Sequence, residues 1–359
     1  MRIGVDAREL CGRATGVGRY LSGLLAQWAG AAGGHEFILY APEAPSVPLD
    51  AGRFQVRVLP GSRGTWWEQT TLARAAARDR LDVLFAPAYT APICTRLPTV
   101  VVVHDISFVA HPEWFTRRDG LRRRWLTRRA ARRARAVITV SEFSRREIVA
   151  RLAVPENRVH VVSNGVTSPT GGDRARARDA RVLYVGSILN RRHVPDLIRA
   201  FRPVARAHAG ASLDIVGDNR SYPHEDVAHV IAAEGLEGRV RWHRYLPDAA
   251  LGELYASARA FAFLSEYEGF GLTPLEALAA GLPPVVLDTP VARETCGEAA
   301  IYVPAGDLAA ASAAHERALF DARARAAILA AAPERLARFT WPRAARETLA
   351  VIEGAVHAS

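Results

Sequence analysis

Short apolar runs alternate along the chain with longer stretches in which apolar residues recur every three or four positions. In the first half, residues 3–6, 37–41, 55–59, 83–86, 99–104, 136–140 and 159–163 read as strands. Helical spacing lies between them at 18–28, 66–78 and 141–151. The run Val100-Val101-Val102-Val103 has no polar alternation, which implies a strand covered on both faces, as in a parallel sheet between helices. The first half therefore reads as a doubly wound α/β domain. At 167–179 the pattern lapses into TSPTGGDRARARD, a linker composition. The alternation then restarts, with strands at 182–186, 213–216, 240–245, 260–264, 284–287 and 300–303 and helices at 194–208, 225–234, 249–257 and 273–280. The resulting division is an N-terminal domain at 1–167, a linker at 168–180, a second domain at 181–335 and a last helix at 336–359 that returns to the first domain. Two such domains facing each other predict a cleft, with ligands at the carboxyl ends of the strands.

Length and composition narrow the class. At about 150 residues per domain, 359 residues suit two cores, and 49% hydrophobic residues exclude intrinsic disorder. Cys11, Cys94 and Cys296 share no metal-ligand spacing and suit a reducing compartment. The longest uncharged stretch, 20–35, falls short of the roughly 20 apolar residues of a membrane span. Asp6 and Arg8 interrupt any secretory signal core, so a cytoplasmic protein is expected. The net charge of +10 suggests a polyanion partner, yet all 47 basic residues are arginine and none is lysine. Biased codon usage accounts for much of that excess. Nucleic acid is not expected, because the charge is not interleaved with stacking aromatics.

The densest chemistry lies in Ser265-Glu266-Tyr267-Glu268-Gly269-Phe270-Gly271-Leu272-Thr273-Pro274-Leu275-Glu276, between a strand and a helix. Gly269 and Gly271 let backbone approach a ligand, and amides at the helix start attract phosphate. Glu276 suits a ribose diol and Glu268 a sugar hydroxyl, since a carboxylate accepts two hydroxyl hydrogen bonds. Glu276 also fits a ligand-free role, complementing the helix dipole. A second phosphate-type turn is Gly186-Ser187-Ile188-Leu189-Asn190-Arg191-Arg192-His193, where an arginine can neutralise a diphosphate. The loop Gly12-Arg13-Ala14-Thr15-Gly16-Val17-Gly18 fits either anion contact or close packing. It lacks the third glycine of a dinucleotide fingerprint, and the chain has no Walker pattern. His104-Asp105 ends a strand, either to touch a substrate hydroxyl or to cap a turn. No histidine or cysteine array points to a metal.

Glu268 and Glu276 match the E-x7-E motif, and the chain resembles the retaining nucleotide-sugar glycosyltransferases of family 4. The similarity runs through YEGFGLTPLEALAAGLPP, Gly4-Val5-Asp6-Ala7-Arg8, Gly16-Val17-Gly18-Arg19-Tyr20, Val103-His104-Asp105-Ile106-Ser107-Phe108, His111-Pro112-Glu113-Trp114-Phe115, Val140-Ser141-Glu142-Phe143-Ser144, Asn164-Gly165-Val166 and Phe339-Thr340-Trp341. Nearly the whole chain is covered in collinear order. It is most similar to mannosyltransferase-like enzymes of surface polysaccharide synthesis.

The resemblance implies the GT-B fold, two Rossmann-like domains facing across a cleft. It also implies transfer of a hexose, mannose favoured, from a nucleoside diphosphate sugar to a glycan or lipid-linked hydroxyl. GDP-mannose is the favoured donor, and neither cofactor nor metal is required. His104, Glu268 and Arg192 are the implied catalytic residues. Gly16, Gly18, Ser187, Phe270, Gly271, Leu272 and Glu276 are the implied substrate-binding residues, Glu276 at the ribose and Glu268 at the transferred sugar. Two departures stand out. Asn190-Arg191-Arg192-His193 replaces the subgroup's Pro-Arg-Lys-Asn, which puts Arg192 at the lysine position, and Ser187 stands where many members carry arginine or threonine. Closure of the two domains over the donor is expected to exclude water.

Residues 116–136 carry ten arginines against one acid, Asp119, with Leu121, Trp125 and Leu126 among them. Such a helix suits an anionic membrane surface and a peripheral position at its inner face. It equally suits a solvated helix exaggerated by biased arginine usage. Two other functions compete: a non-enzymatic binder of polyanions or membrane on a degenerate GT-B fold, and a GT-B hydrolase or epimerase.

Overall fold

The computed structural model describes residues 1–12, 15–30, 34–169, 171–172 and 178–357. Residue contacts divide the chain into two units. The first comprises Met1–Ala110, Arg117–Gly165 and the chain from Phe339 on; the second comprises His111–Thr116 and Val166–Arg338.

The first unit holds strands β1 (Arg2–Asp6), β2 (Glu36–Ala41), β3 (Phe54–Val58), β4 (Val83–Ala86), β5 (Thr99–Val102), β6 (Ala136–Thr139) and β7 (Val159–Val161). Its helices are α1 (Gly16–Gly30), α2 (Ala73–Arg78), α3 (Ser107–Ala110), α4 (Arg117–Arg133) and α5 (Glu142–Leu152). The strands form one parallel sheet in the order β3-β2-β1-β4-β5-β6-β7. Every residue of β4, β5 and β6 is buried, as the valine run implies, whereas the edge strand β3 exposes most of its length. On α1, Tyr20, Leu21, Leu24, Leu25 and Trp28 turn inward at helical spacing. Ser141 starts α5 by accepting the Ser144 amide at 3.0 Å.

The second unit holds β8 (Arg181–Val185), β9 (Ser212–Val216), β10 (Val240–His243), β11 (Ala260–Phe263), β12 (Pro284–Leu287) and β13 (Ile301–Val303), all parallel, in the order β10-β9-β8-β11-β12-β13. Around it lie α6 (Val194–Ala207), α7 (Val227–Ala233), α8 (Asp248–Ser257), α9 (Leu272–Ala279), α10 (Pro290–Cys296), α11 (Leu308–Phe320) and α12 (Ala322–Leu336). Both units are thus Rossmann-like and doubly wound. The last helix, α13 (Trp341–His357), packs in the first unit against α1. Trp341 fills the space left by two glycines: a Cβ on Gly23 would lie 2.5 Å from its ring, and one on Gly165 2.4 Å. Trp28 adds a hydrogen bond from Nε1 to the Ala345 carbonyl at 3.1 Å.

Several elements differ from the sequence pattern for local reasons. β5 stops at Val102, two residues before His104, because its neighbours β4 and β6 are themselves only four residues long. The helix read at 66–78 opens as a π-helical stretch, Trp67–Leu72, before α2. α11 and α12 are alanine-rich, so no stripe of large apolar residues marked them in advance. Of the linker, 170 and 173–177 lie outside the described residues; the described part holds to the second unit, with Ser168 Oγ donating to the Ala279 carbonyl at 3.1 Å. Arg13 and Ala14 of the first glycine loop are also outside them. Among the described residues, no helix is long and apolar enough to cross a membrane.

Candidate active site

In the second sheet, strand order reverses between β8 and β11. Such a point is where an open parallel sheet leaves a crevice at its carboxyl edge. The loops leaving these two strands are 186–193 and 264–271, the two segments that carried phosphate-type signals in the sequence.

Gly186, at φ +148, turns the chain over the Arg192 guanidinium; a Cβ there would stand 2.8 Å from Nη1. Asn190, in place of proline, accepts the Tyr222 amide and donates to the Pro223 carbonyl at 2.9 Å, so it ties the loop to a neighbouring segment. His193, in place of asparagine, holds a left-handed φ of +45 at the start of α6, a conformation asparagine adopts more readily.

Arg192 is already engaged. Its Nε donates to Glu268 Oε1 at 2.7 Å, Nη1 donates to the Ser187 carbonyl at 2.9 Å, and the guanidinium lies 4.9 Å from the Phe263 ring centre. Burial opposes its charge, but the Glu268 carboxylate and the Tyr184 hydroxyl together more than offset this and raise its pKa. Glu268 Oε1 also accepts Ser265 Oγ at 2.9 Å. The expectation that Arg192 serves a diphosphate therefore meets a geometry in which it first fixes Glu268.

Arg191 sits differently. Its Nε is buried without a hydrogen-bond partner, 3.9 Å from Glu268 Oε1. Across the loop, Gly271 caps the start of α9 at φ +88, and Thr273 Oγ1 in the first turn is likewise buried and unpartnered. Two orphaned donors beside a helix start have the chemistry of an anion cradle. Phe270 is buried, Leu272 is half-buried, and Glu276 is half-buried as the fifth residue of α9. The sequence reading did not single out Thr273 or Ser265. His111 and Trp114 stack at 4.0 Å, and both meet Tyr267, next to Glu268, edge-on.

In the first unit the order reverses between β1 and β4. His104 lies near this edge with Nε2 donating to the Pro87 carbonyl at 2.9 Å, which leaves Nδ1 as the acceptor of the neutral ring. Tyr20 and Tyr89 meet the ring edge-on, at 5.0 and 5.6 Å. Burial lowers its pKa, against the opposing effects of Pro87 and Asp105, so the neutral form is favoured. Tyr89 has a left-handed φ of +61 and donates its hydroxyl to Asp105 Oδ2 at 3.0 Å. Tyr20 ends the segment 16–20 that carries the family resemblance but has no role implied there, and Tyr89 carries no sequence signal, because the contacts of both with His104 arise from packing. Beside them, Arg8 lies buried between Asp6, at 2.9 Å, and Glu68. Of the two glycines expected at substrate, Gly18 has a packing reason: a Cβ would stand 2.6 Å from the Glu9 carbonyl. Gly16 has nothing near its missing Cβ. Among the described residues, no cluster of three metal-ligating side chains occurs.

Known proteins align with both halves. The family described as Glycosyltransferase Family 4 matches residues 14–168, and Glycosyl transferases group 1 matches 173–335. The O-antigen chain mannosyltransferase B of Escherichia coli is 27% identical over 287 residues, 76% of this chain and 75% of that protein. The GDP-mannose:cellobiosyl-diphosphopolyprenol alpha-mannosyltransferase of Xanthomonas campestris is 30% identical over 254 residues, 68% of this chain and 64% of that protein. Two solved structures share the fold. Sucrose-phosphate synthase from Thermosynechococcus elongatus has a TM-score of 0.79 at 19% identity, with both chains fully covered. WaaG, a glycosyltransferase involved in lipopolysaccharide biosynthesis, has a TM-score of 0.75 at 15% identity, covering 99% of this chain and 100% of that one. With a family 4 half followed by a group 1 half on two Rossmann-like units, the chain belongs to the GT-B glycosyltransferases and is an enzyme of that family.

Proposed function

We propose that this enzyme transfers a hexose, mannose in preference to others, from a nucleoside diphosphate sugar to a hydroxyl of a glycan or lipid-linked acceptor, with retention and without a metal. The observation that carries the reading is the crevice between β8 and β11, where Glu268 is held by Arg192 and Ser265 beside two orphaned donors, Arg191 Nε and Thr273 Oγ1. GDP-mannose is the favoured donor because relatives are named as mannosyltransferases and one is named for GDP-mannose. A lipid-linked acceptor is favoured because that relative is named for a diphosphopolyprenol.

In the proposed reaction, the bond from the anomeric carbon to the leaving phosphate breaks and the acceptor oxygen bonds to that carbon on the same face. The acceptor proton passes to the departing phosphate oxygen. Arg191, Thr273, Ser187 and the amides of Phe270, Gly271 and Leu272 receive the diphosphate charge. Each such donor is worth about 3 kcal/mol where charge develops in the transition state. Glu268, fixed by Arg192, receives hydroxyls of the transferred sugar, and Glu276 receives the ribose diol. His104 accepts a sugar hydroxyl through Nδ1, and Gly16 and Gly18 shape the loop beside it.

The test is a panel of GDP-, UDP- and ADP-sugars, followed by nucleotide release with and without glycan or polyprenyl-linked acceptors. GDP release from GDP-mannose that rises with acceptor, with an α-linked product by NMR, is the expected result. Release independent of acceptor would make the enzyme a hydrolase, and an inverted product would refute retention.

A further inference from the structure

His104 is framed by the loop after β4, residues 87–93. The Pro87 carbonyl takes the ring Nε2 proton at 2.9 Å, and Tyr89, at a left-handed φ of +61, contacts both the ring and Asp105. A tyrosine holds that conformation only where its surroundings impose it. The Tyr89 amide donates to the Val102 carbonyl at 2.8 Å, and Asp105 Oδ1 accepts the Ser107 amide at 2.8 Å. Beyond Tyr89 the loop is anchored by side chains of the π-helical stretch Trp67–Leu72. Thr90 Oγ1 donates to Glu68 Oε1 at 2.6 Å, Gln69 Nε2 to the Ala91 carbonyl at 3.0 Å, and the Ile93 amide to Gln69 Oε1 at 2.8 Å. Glu68, 1% exposed, also accepts Arg8 Nη2 on Oε1 and Gln69 Nε2 on Oε2, the latter at 2.9 Å. Turns of π-helix are rare and occur mostly at functional sites.

We propose that Glu68 is a positioning residue for His104. Backed by Arg8 and Gln69, it fixes the 87–93 loop so that the Pro87 carbonyl keeps the ring proton on Nε2 and leaves Nδ1 open as an acceptor. Stability alone does not account for two charges buried here, since apolar side chains of the same volume hold a fold as well or better. What apolar side chains cannot supply is an acceptor for Thr90. A neutral imidazole has two tautomers, and the hydrogen bond made by one nitrogen chooses between them. A drift of Pro87 by about 1 Å takes its carbonyl out of hydrogen-bond range, and the choice is lost. The consequence for turnover rests on the proposed part of His104 in sugar transfer; the tautomer does not.

The experiment reads the tautomer by heteronuclear NMR of isotope-labelled histidine in the full chain at about pH 8, where an ordinary imidazole is neutral. His104→Gln assigns the signal. Thr90→Val keeps the volume and the Arg8–Glu68 pair but removes the hydroxyl, whereas Thr90→Ser keeps the hydroxyl. In Glu68→Gln a donor must face the new amide nitrogen, because Gln69 cannot turn over while it serves both Ala91 and Ile93. Wild type and Thr90→Ser should show the Nε2–H form alone. Thr90→Val and Glu68→Gln should show a mixture with Nδ1–H, and their kcat should fall by about tenfold to a hundredfold with the donor KM changed less. Melting temperatures certify folding, and should Glu68→Gln not fold, the two Thr90 variants decide. An Nδ1–H form in wild type, an unaltered Nε2–H form in folded Thr90→Val, or a change in Thr90→Ser as large as in Thr90→Val would overturn the proposal. A mixed tautomer with unaltered kcat would leave the positioning intact and refute the part given to His104 in the transfer.

Discussion

His315 sits fully buried in α11, where that helix lies against α6, β12 and β13, and neither ring nitrogen has a hydrogen-bond partner. Burial pushes its pKa down from 6.5 to about 4. In the unfolded chain the imidazole titrates at about 6.5. Between these values the unfolded state binds a proton that the folded state refuses, so stability falls as pH drops. At about pH 5 the linkage amounts to about 2 kcal/mol, rising towards about 3 kcal/mol near pH 4, and it vanishes above about pH 7. Replacing His315 by leucine removes the titration. Near neutrality, leucine also removes two unsatisfied polar atoms, so it should leave stability unchanged or raise it. Calorimetric melting from about pH 7 to about pH 5 measures this, following the transition that the substitution itself moves, because two units need not unfold together. Wild type should lose melting temperature faster than His315→Leu as pH falls. Parallel pH dependences would refute the reasoning.

Other substitutions test neighbouring steps. Asp6 is pushed up to about 6, first by burial and further by Glu68, against the pull of Arg8. Its folded form binds a proton that the unfolded form lacks between about pH 6 and about pH 4. The contribution is therefore present at low pH and lost as pH rises through that window, opposite in sign to His315; Asp6→Asn should abolish it in the melting profile of the first unit. Glu268→Gln leaves the Arg192 side chain, 14% exposed, facing an amide. It should cost about 3 kcal/mol and most of the turnover. Adding Arg192→Met should restore part of the stability in urea unfolding, and strict additivity would contradict the coupling. Gly23→Ala drives a methyl group into Trp341 and should cost about 1 to 3 kcal/mol, read as a lowered melting temperature with α13 displaced from α1.

Much of the fold was legible because it is written in short range. Strand β4 and strand β12 fall on the apolar runs that announced them, α6 and α8 differ from their patterns by one residue at one end, and α9 is shifted by one residue. Alanine hid α11 and α12, since small side chains leave no amphipathic stripe large enough to read. In the site, the glycines and carboxylates of the loop after β11 were visible as a motif. The partition of labour between two adjacent arginines was not. Arg191 and Arg192 are one residue apart, yet only the second is saturated by partners.

By itself, the sequence determined two α/β units, the loops at the carboxyl ends of β8 and β11, and an arginine-dense helix. Each of these follows from periodicity, turn chemistry or composition within a few residues. Tertiary structure alone decided that Arg192 pins Glu268 from 76 positions away, that Tyr20 and Tyr89 hold His104, and that Thr90 meets Glu68. It also decided that His315 is buried without a partner and that Trp341 closes on Gly23 and Gly165. The physical reason is the same throughout: hydrophobic spacing specifies which face is buried, but pairing, burial cost and unsatisfied donors depend on segments that only the packed chain brings together.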